Sequence, residues 1–288
     1  MKKGEFGLID HIRATFATPP MGLVGIGDDC AIIPADGEHD LLISTDMVIE
    51  GVHFLRSDAE PEAVGHKAAA VNISDIAAMG GEPVATFLSI ALPKDAQGEW
   101  VERFLEGYRA ISEHYGVALL GGDTTSSLRD VAVNVAVVGR CERGRALLRS
   151  GAQMGDTIYV TGPLGDSGAG LKAILEGIER TAEVEALIDR HYRPTPRVAE
   201  GVAIGTSGEA HSMMDISDGI ASDLGHILRA SGVGAEVDLD SLPLSAEMRT
   251  VAAAKGWNTS HLAASAGEDY ELLVVGTEKL PQRVDIPL

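Results

Sequence analysis

Between residues 41 and 46 (LLISTD) an apolar run leads directly into hydroxyl and carboxylate side chains, the pattern of a short buried strand that ends in polar residues. Residues 61–79 (PEAVGHKAAAVNISDIAAM) are apolar and rich in alanine. Pro61 stands at the start and Gly80-Gly81 at the end, which predicts a helix. The segments 84–92, 117–120 and 131–139 are apolar and β-branched and predict strands, with an amphipathic helix over 99–115 between two of them. A basic, turn-rich stretch at 141–156 (CERGRALLRSGAQMGD) separates this half from a second. There the pattern predicts a strand at 157–161, a helix near 167–179, a proline-rich turn at 193–197 (RPTPR), a helix near 219–231, and strands near 235–239 and 270–275. Strands alternating with helices in both halves predict an α/β (α+β) protein with two domains, 1–145 and 146–288.

The length of 288 residues agrees with two domains, at roughly 100–200 residues each. With 45% hydrophobic but only 4% aromatic residues, the core is built from Ala, Val, Ile and Leu. The 34 glycines point to many tight turns and close backbone approaches. A formal net charge of -20, from 43 acidic and 23 basic residues, repels nucleic acid and anionic membrane. If the substrates are phosphates, a cation must bridge them to such a chain, and a divalent metal does so most economically. Cys30 and Cys141 have no metal-ligand spacing and read as thiols in a reducing compartment. No apolar run approaches ~18 residues and the start lacks a signal-peptide core, so the expected location is the cytoplasm.

Six turns carry the candidate chemistry. Gly25-Ile26-Gly27-Asp28-Asp29 pairs carboxylates after glycine, which suits a hard cation such as Mg²⁺, although Gly and Asp also dominate plain turns. Ser44-Thr45-Asp46 offers three oxygen ligands at the end of a strand, where ligands gather in open α/β sheets. Asp75 sits deep in the Ala-rich helix with Asn72 and Met79 on its face, and a charge there needs a partner or a metal. Leu120-Gly121-Gly122-Asp123 runs a strand into glycines that let a backbone approach phosphate, with a carboxylate to reach a metal. Asp215-Ile216-Ser217-Asp218 opens a helix; capping explains one of these polar residues but not both carboxylates. Gly267-Glu268-Asp269-Tyr270 precedes an apolar strand and on its own reads as a turn. The glycine-rich run Gly162–Gly168 lacks the ending of a Walker A loop and reads as a helix start near nucleotide.

Taken in order, GIGDDC, STDMVIEGVHF, NISDIAAMGG, LLGGDTT, RSGAQMGDTIYVTG, MDISDG and GEDYEL closely resemble the thiamine-monophosphate kinase family. Its superfamily includes aminoimidazole ribonucleotide synthetase, selenophosphate synthetase and a hydrogenase maturation protein. The resemblance runs from about residue 4 to residue 277. It implies transfer of the γ-phosphoryl group of ATP to thiamine monophosphate, with several Mg²⁺ ions as cofactors. It implies metal ligands at Asp29, Ser44, Thr45, Asp46, Asp75, Asp123, Asp215 and Asp218. ATP contacts are implied at Gly122, Asp123, Arg149 and Ser217, and acceptor contacts at His53 and Glu268. The implied fold is an N-terminal α/β domain whose sheet meets that of a second subunit in a homodimer, followed by a C-terminal α/β domain. No general base is expected, because the acceptor is a phosphate monoester with a second pKa of about 6. Members of the family usually run further and carry a late aromatic residue that packs on the substrate. Here the last aromatic is Tyr270 and the chain ends PQRVDIPL, which implies a truncated or divergent C-terminus. Two alternatives stand beside this reading: a related ATP-dependent synthetase, and a non-catalytic nucleotide- or metal-binding protein. The EGVHF wording and the absence of the relatives' terminal cysteines weigh against the first, and turnover separates the second.

Overall fold

The computed structural model describes residues 5–16, 20 and 22–288. After α1 (Glu5–Thr15) come β1 (Ala31–Pro34), β2 (His39–Ile49), α2 (Pro61–Ala78), β3 (Glu82–Leu92), α3 (Glu99–His114), β4 (Ala118–Ser126) and β5 (Ala132–Glu142). The strands form one five-stranded sheet in the order β1-β2-β5-β3-β4. Only β3 and β4 pair in parallel, joined by the crossover helix α3, as a parallel connection requires. The strands predicted at 41–46 and 117–120 are longer than expected: STD lies inside β2 rather than at its end, and GGDTT lies in β4 rather than in a turn after it.

Alternation decides which side chains of β2 meet the core. Leu42 and Val48 are buried against α2, whereas Met47 on the other face is 50% exposed. α2 packs between this sheet and the second domain, and 15 of its 18 residues are buried, which accounts for a helix apolar nearly all round. It lies against α3 at a crossing where only glycine fits. A Cβ on Gly65 would stand 1.9 Å from the Phe104 carbonyl oxygen, and one on Gly107 at 1.9 Å from that of Glu62.

The second half comprises β6 (Thr157–Val160), α4 (Asp166–Glu176), α5 (Ala182–Tyr192), α6 (Val198–Ser207), β7 (Ala210–Asp215), α7 (Ile220–Ser231), α8 (Ala246–Lys255), α9 (Thr259–Ser265), β8 (Leu272–Gly276) and α10 (Leu280–Arg283). An antiparallel sheet in the order β6-β8-β7 has β8 buried throughout. The domains meet where Ala77 and Ala78 of α2 share a core with Ile204, Met213 and Leu272.

The strand expected near 235–239 does not form. The segment is exposed, with Val237 and Leu239 38% and 50% exposed, and Leu239 already begins a 3-10 turn. A strand needs a neighbour; this segment and β6 instead line a cavity of about 1100 Å³. Helices α5, α6, α8 and α9 go beyond the expected elements. α5 and α6 flank the predicted proline-rich turn, and Thr181 caps α5 by accepting the Val184 N–H.

Candidate acidic active site

Three peptide segments distant in sequence bring their carboxylates together. Asp29 follows the glycine loop before β1, Asp75 lies in α2, and Asp215 ends β7. One carboxylate oxygen from each lies within 4.8 Å of the others. The side chain of Asp29 is 2% exposed and Asp215 is 3% exposed. Local hydroxyls orient the group: Ser44 Oγ donates to Asp75 at 2.6 Å, and Ser74 Oγ donates to Asp215 at 2.5 Å. Asn72 takes up the Asp46 N–H at 3.0 Å, which fastens β2 to α2 beside the cluster.

Burial pushes the Asp75 carboxyl well above the ordinary carboxylate range, and the negative charges of Asp46, Asp215 and Asp29 push it further. Asp215 is raised in the same way, by burial and by Asp29. Asp29 is raised by burial, against the opposing pull of the Arg149 guanidinium. Arg149 forms an ion pair with Asp29, and its N–H donates to Asp28 at 2.7 Å. Asp29 Oδ2 is buried with no hydrogen-bond partner. Three crowded carboxylates facing one guanidinium, with an unsatisfied buried oxygen among them, fit a hard divalent cation. Asp29, Asp75 and Asp215 would hold it.

The other expected ligands are distributed differently. Ser44 and Asp46 share the α2 face of β2, close enough for the Asp46 charge to act on Asp75 and Asp215. Thr45 lies between them, and alternation sends its side chain to the opposite face. There it donates to the Val135 carbonyl at 3.1 Å and accepts from Asn134 at 2.9 Å. Asp218 is exposed, and its N–H donates at 3.1 Å to Asp223. Asp223, missed by the sequence reading, is 1% exposed and its pKa is raised to about 7, chiefly by burial. Asp123 lies in β4, at the far edge of the sheet. Register places Asp123 beside Ser89, Ser89 beside Asn134 and Asn134 beside Met47. Three strand spacings of about 4.8 Å put it about 14 Å from β2. Gly122 is required by packing: a Cβ there would meet the Leu88 carbonyl oxygen at 1.7 Å.

The expected acceptor contacts do come together. His53 Nδ1 accepts the Ile49 N–H at 3.0 Å, which leaves Nε2 as the protonated nitrogen of the neutral ring. Glu268 is held in the left-handed region (φ 64) while its N–H donates to the Ser217 carbonyl at 2.8 Å. Lys67, also missed, bridges the two: Nζ donates to the His53 carbonyl at 3.1 Å and lies 3.0 Å from Glu268 Oε1. A buried lysine gives little signal in sequence, since helical lysines usually face water. The run Gly162–Gly168 starts α4 as expected, and Asp269 accepts N–H bonds from Gly165 at 2.6 Å and Ser167 at 3.1 Å.

The family profile described as AIR synthase related protein, N-terminal domain, matches residues 27–141, and its C-terminal counterpart matches 153–281. A thiamine-monophosphate kinase of Salmonella typhimurium is 44% identical over 281 residues, covering 94% of this chain and 82% of that relative. One from Aquifex aeolicus is 42% identical over 271 residues, covering 94% and 85%. A solved structure described as AaThiL complexed with AMPPCP and TMP has a TM-score of 0.89 at 40% identity, covering 96% of this chain and 86% of that one. A hydrogenase maturation protein HypE in complex with ATP has a TM-score of 0.70 at 19% identity and is a likeness of fold.

Proposed function

This chain belongs to the thiamine-monophosphate kinase family, and we propose that it transfers the γ-phosphoryl group of ATP to thiamine monophosphate, forming thiamine diphosphate and ADP. The observation that carries this reading is the buried Asp29, Asp75 and Asp215 cluster, in a chain whose two halves match the AIR synthase related domains. Mg²⁺ bound there would neutralise charge on the transferring phosphoryl group, on which this chemistry chiefly depends.

The chain's own residues supply position. Asp29, Asp75 and Asp215 form the metal-holding floor, with Ser44, Asp46 and Asp218 at its margin. Thr45 can join only through its main-chain carbonyl, because its side chain is on the other face of the sheet. Arg149 and Ser217 border the cluster on the ATP side. His53 and Glu268 orient the acceptor. No side chain need remove a proton, because the acceptor phosphate is already ionised at neutral pH.

A homodimer accompanies this reading, with the boundary between the domains near 145/146. All nine residues of β4 are exposed, including Leu119 at 49% and Leu120 at 65%. A long exposed edge strand with apolar side chains at one end invites pairing with another chain. A second copy seated there would receive Gly122 and Asp123 near its own site. Among the described residues no helix is long and apolar enough to cross a membrane.

The test is product formation. Purified protein with ATP, Mg²⁺ and thiamine monophosphate yields thiamine diphosphate, resolved by chromatography, and EDTA stops it. Tight nucleotide binding without product would leave a non-catalytic binding protein instead.

A further inference from the structure

Lys67 is wholly buried in α2, at 0% exposure. An ammonium is tolerated there only with partners. Those partners come from separate elements: the His53 carbonyl after β2, Glu268 between α9 and β8, and the Tyr192 ring at the end of α5, whose centroid is 5.9 Å from Nζ. Glu268 Oε2 lies 3.5 Å from His191 Nδ1. The His191 ring is neutral, its pKa lowered to about 3 by burial and by Lys67, and its Nδ1 also meets Ser167 Oγ at 3.0 Å. Glu268 therefore commits Oε1 to Lys67 while its main chain is fixed in the left-handed region. Lys67 and Asp75 are a little over two turns apart in α2, about 12 Å along its axis. One rigid helix thus sets the spacing between the acidic cluster and the His53–Glu268 pair.

We propose that Lys67 is a positioning residue for the phosphate acceptor: it ties His53 of one domain to Glu268 of the other and holds both at a fixed distance from the acidic cluster. It acts through them without touching the reacting atoms. The proposal rests on His53 and Glu268 contacting the acceptor.

Steady-state kinetics on the full chain with ATP and Mg²⁺ tests it with E268Q, K67M and the double variant. E268Q raises the KM for thiamine monophosphate. K67M raises it by about tenfold or more and leaves the KM for ATP within about twofold. The double variant stays within about threefold of E268Q, far short of the loss K67M causes alone, because E268Q has already removed the charge that Lys67 holds and only the His53 contact remains to be lost. If K67M fails to fold with Glu268 left unpaired, the double variant carries neither charge, and its comparison with E268Q decides the matter. An E268Q variant with the parental acceptor KM removes the underlying reading and the proposal with it. A weakened E268Q in which K67M adds an independent loss, or an equal rise in both KM values, overturns the role of Lys67 alone.

Discussion

Asp75→Asn lowers kcat by about a thousandfold or more, yet without metal it melts at a higher temperature than the parent. Both effects have one cause. The Asp75 carboxylate is crowded by Asp29 and Asp215, with one oxygen from each within 4.8 Å of the others, and is further repelled by Asp46. Asparagine keeps the shape and still accepts the Ser44 hydrogen bond, so the fold survives. Because its folded pKa lies above the ordinary value, Asp75 penalises the fold as pH rises from that value through the folded pKa. The gain from Asp75→Asn is therefore seen at neutral pH and vanishes in acid. Each kcal/mol recovered raises the melting temperature by about 2–4 °C for a domain of this size. Mg²⁺ reverses the ranking by stabilising the parent more than the variant. Melting curves with EDTA and with Mg²⁺, alongside turnover, measure all of this. Near-normal turnover would show that Asp75 holds no essential metal.

Leu120→Asp separates the dimer and abolishes most turnover without unfolding the chain. Leu120 is 65% exposed, so a charge there costs the isolated subunit little. In the proposed interface between two β4 strands the same charge is buried without a partner and costs several kcal/mol, enough to dissociate the pair at assay concentrations. Activity falls with association, since Asp123 is too far across the sheet to join its own subunit's cluster. Light scattering reads about twice the 30.1 kDa chain mass for the parent and once that mass for the variant. A monomeric parent with full activity would refute the shared site.

Asp75 was legible in sequence because a carboxylate in an alanine-rich helix has no apolar explanation, and the structure buries it among like charges. Ser44 and Asp46 were legible from their place in an apolar strand. Thr45 came with them in the motif, but strand alternation gives it the other face. The motif at Gly121–Asp123 gave no hint of its distance from the cluster, because strand order depends on which strands pair and not on local pattern. The segment 235–239 has a strand's alternation without a strand's neighbour. Lys67 and Asp223 stayed hidden because burial of a charge is decided by elements far away in the chain.

We propose that Asp29, Asp75 and Asp215 together hold the divalent cation used in phosphoryl transfer. Crystals grown with Mn²⁺ and a non-hydrolysable ATP analogue, measured at the manganese absorption edge, locate the ion by its anomalous signal. A peak is expected at bonding distance, about 2.1 Å, from oxygens of these aspartates and near the γ-phosphate. A nucleotide-bound crystal with manganese only elsewhere, and the three carboxylates still paired with Arg149 and with Ser44 and Ser74, would contradict it.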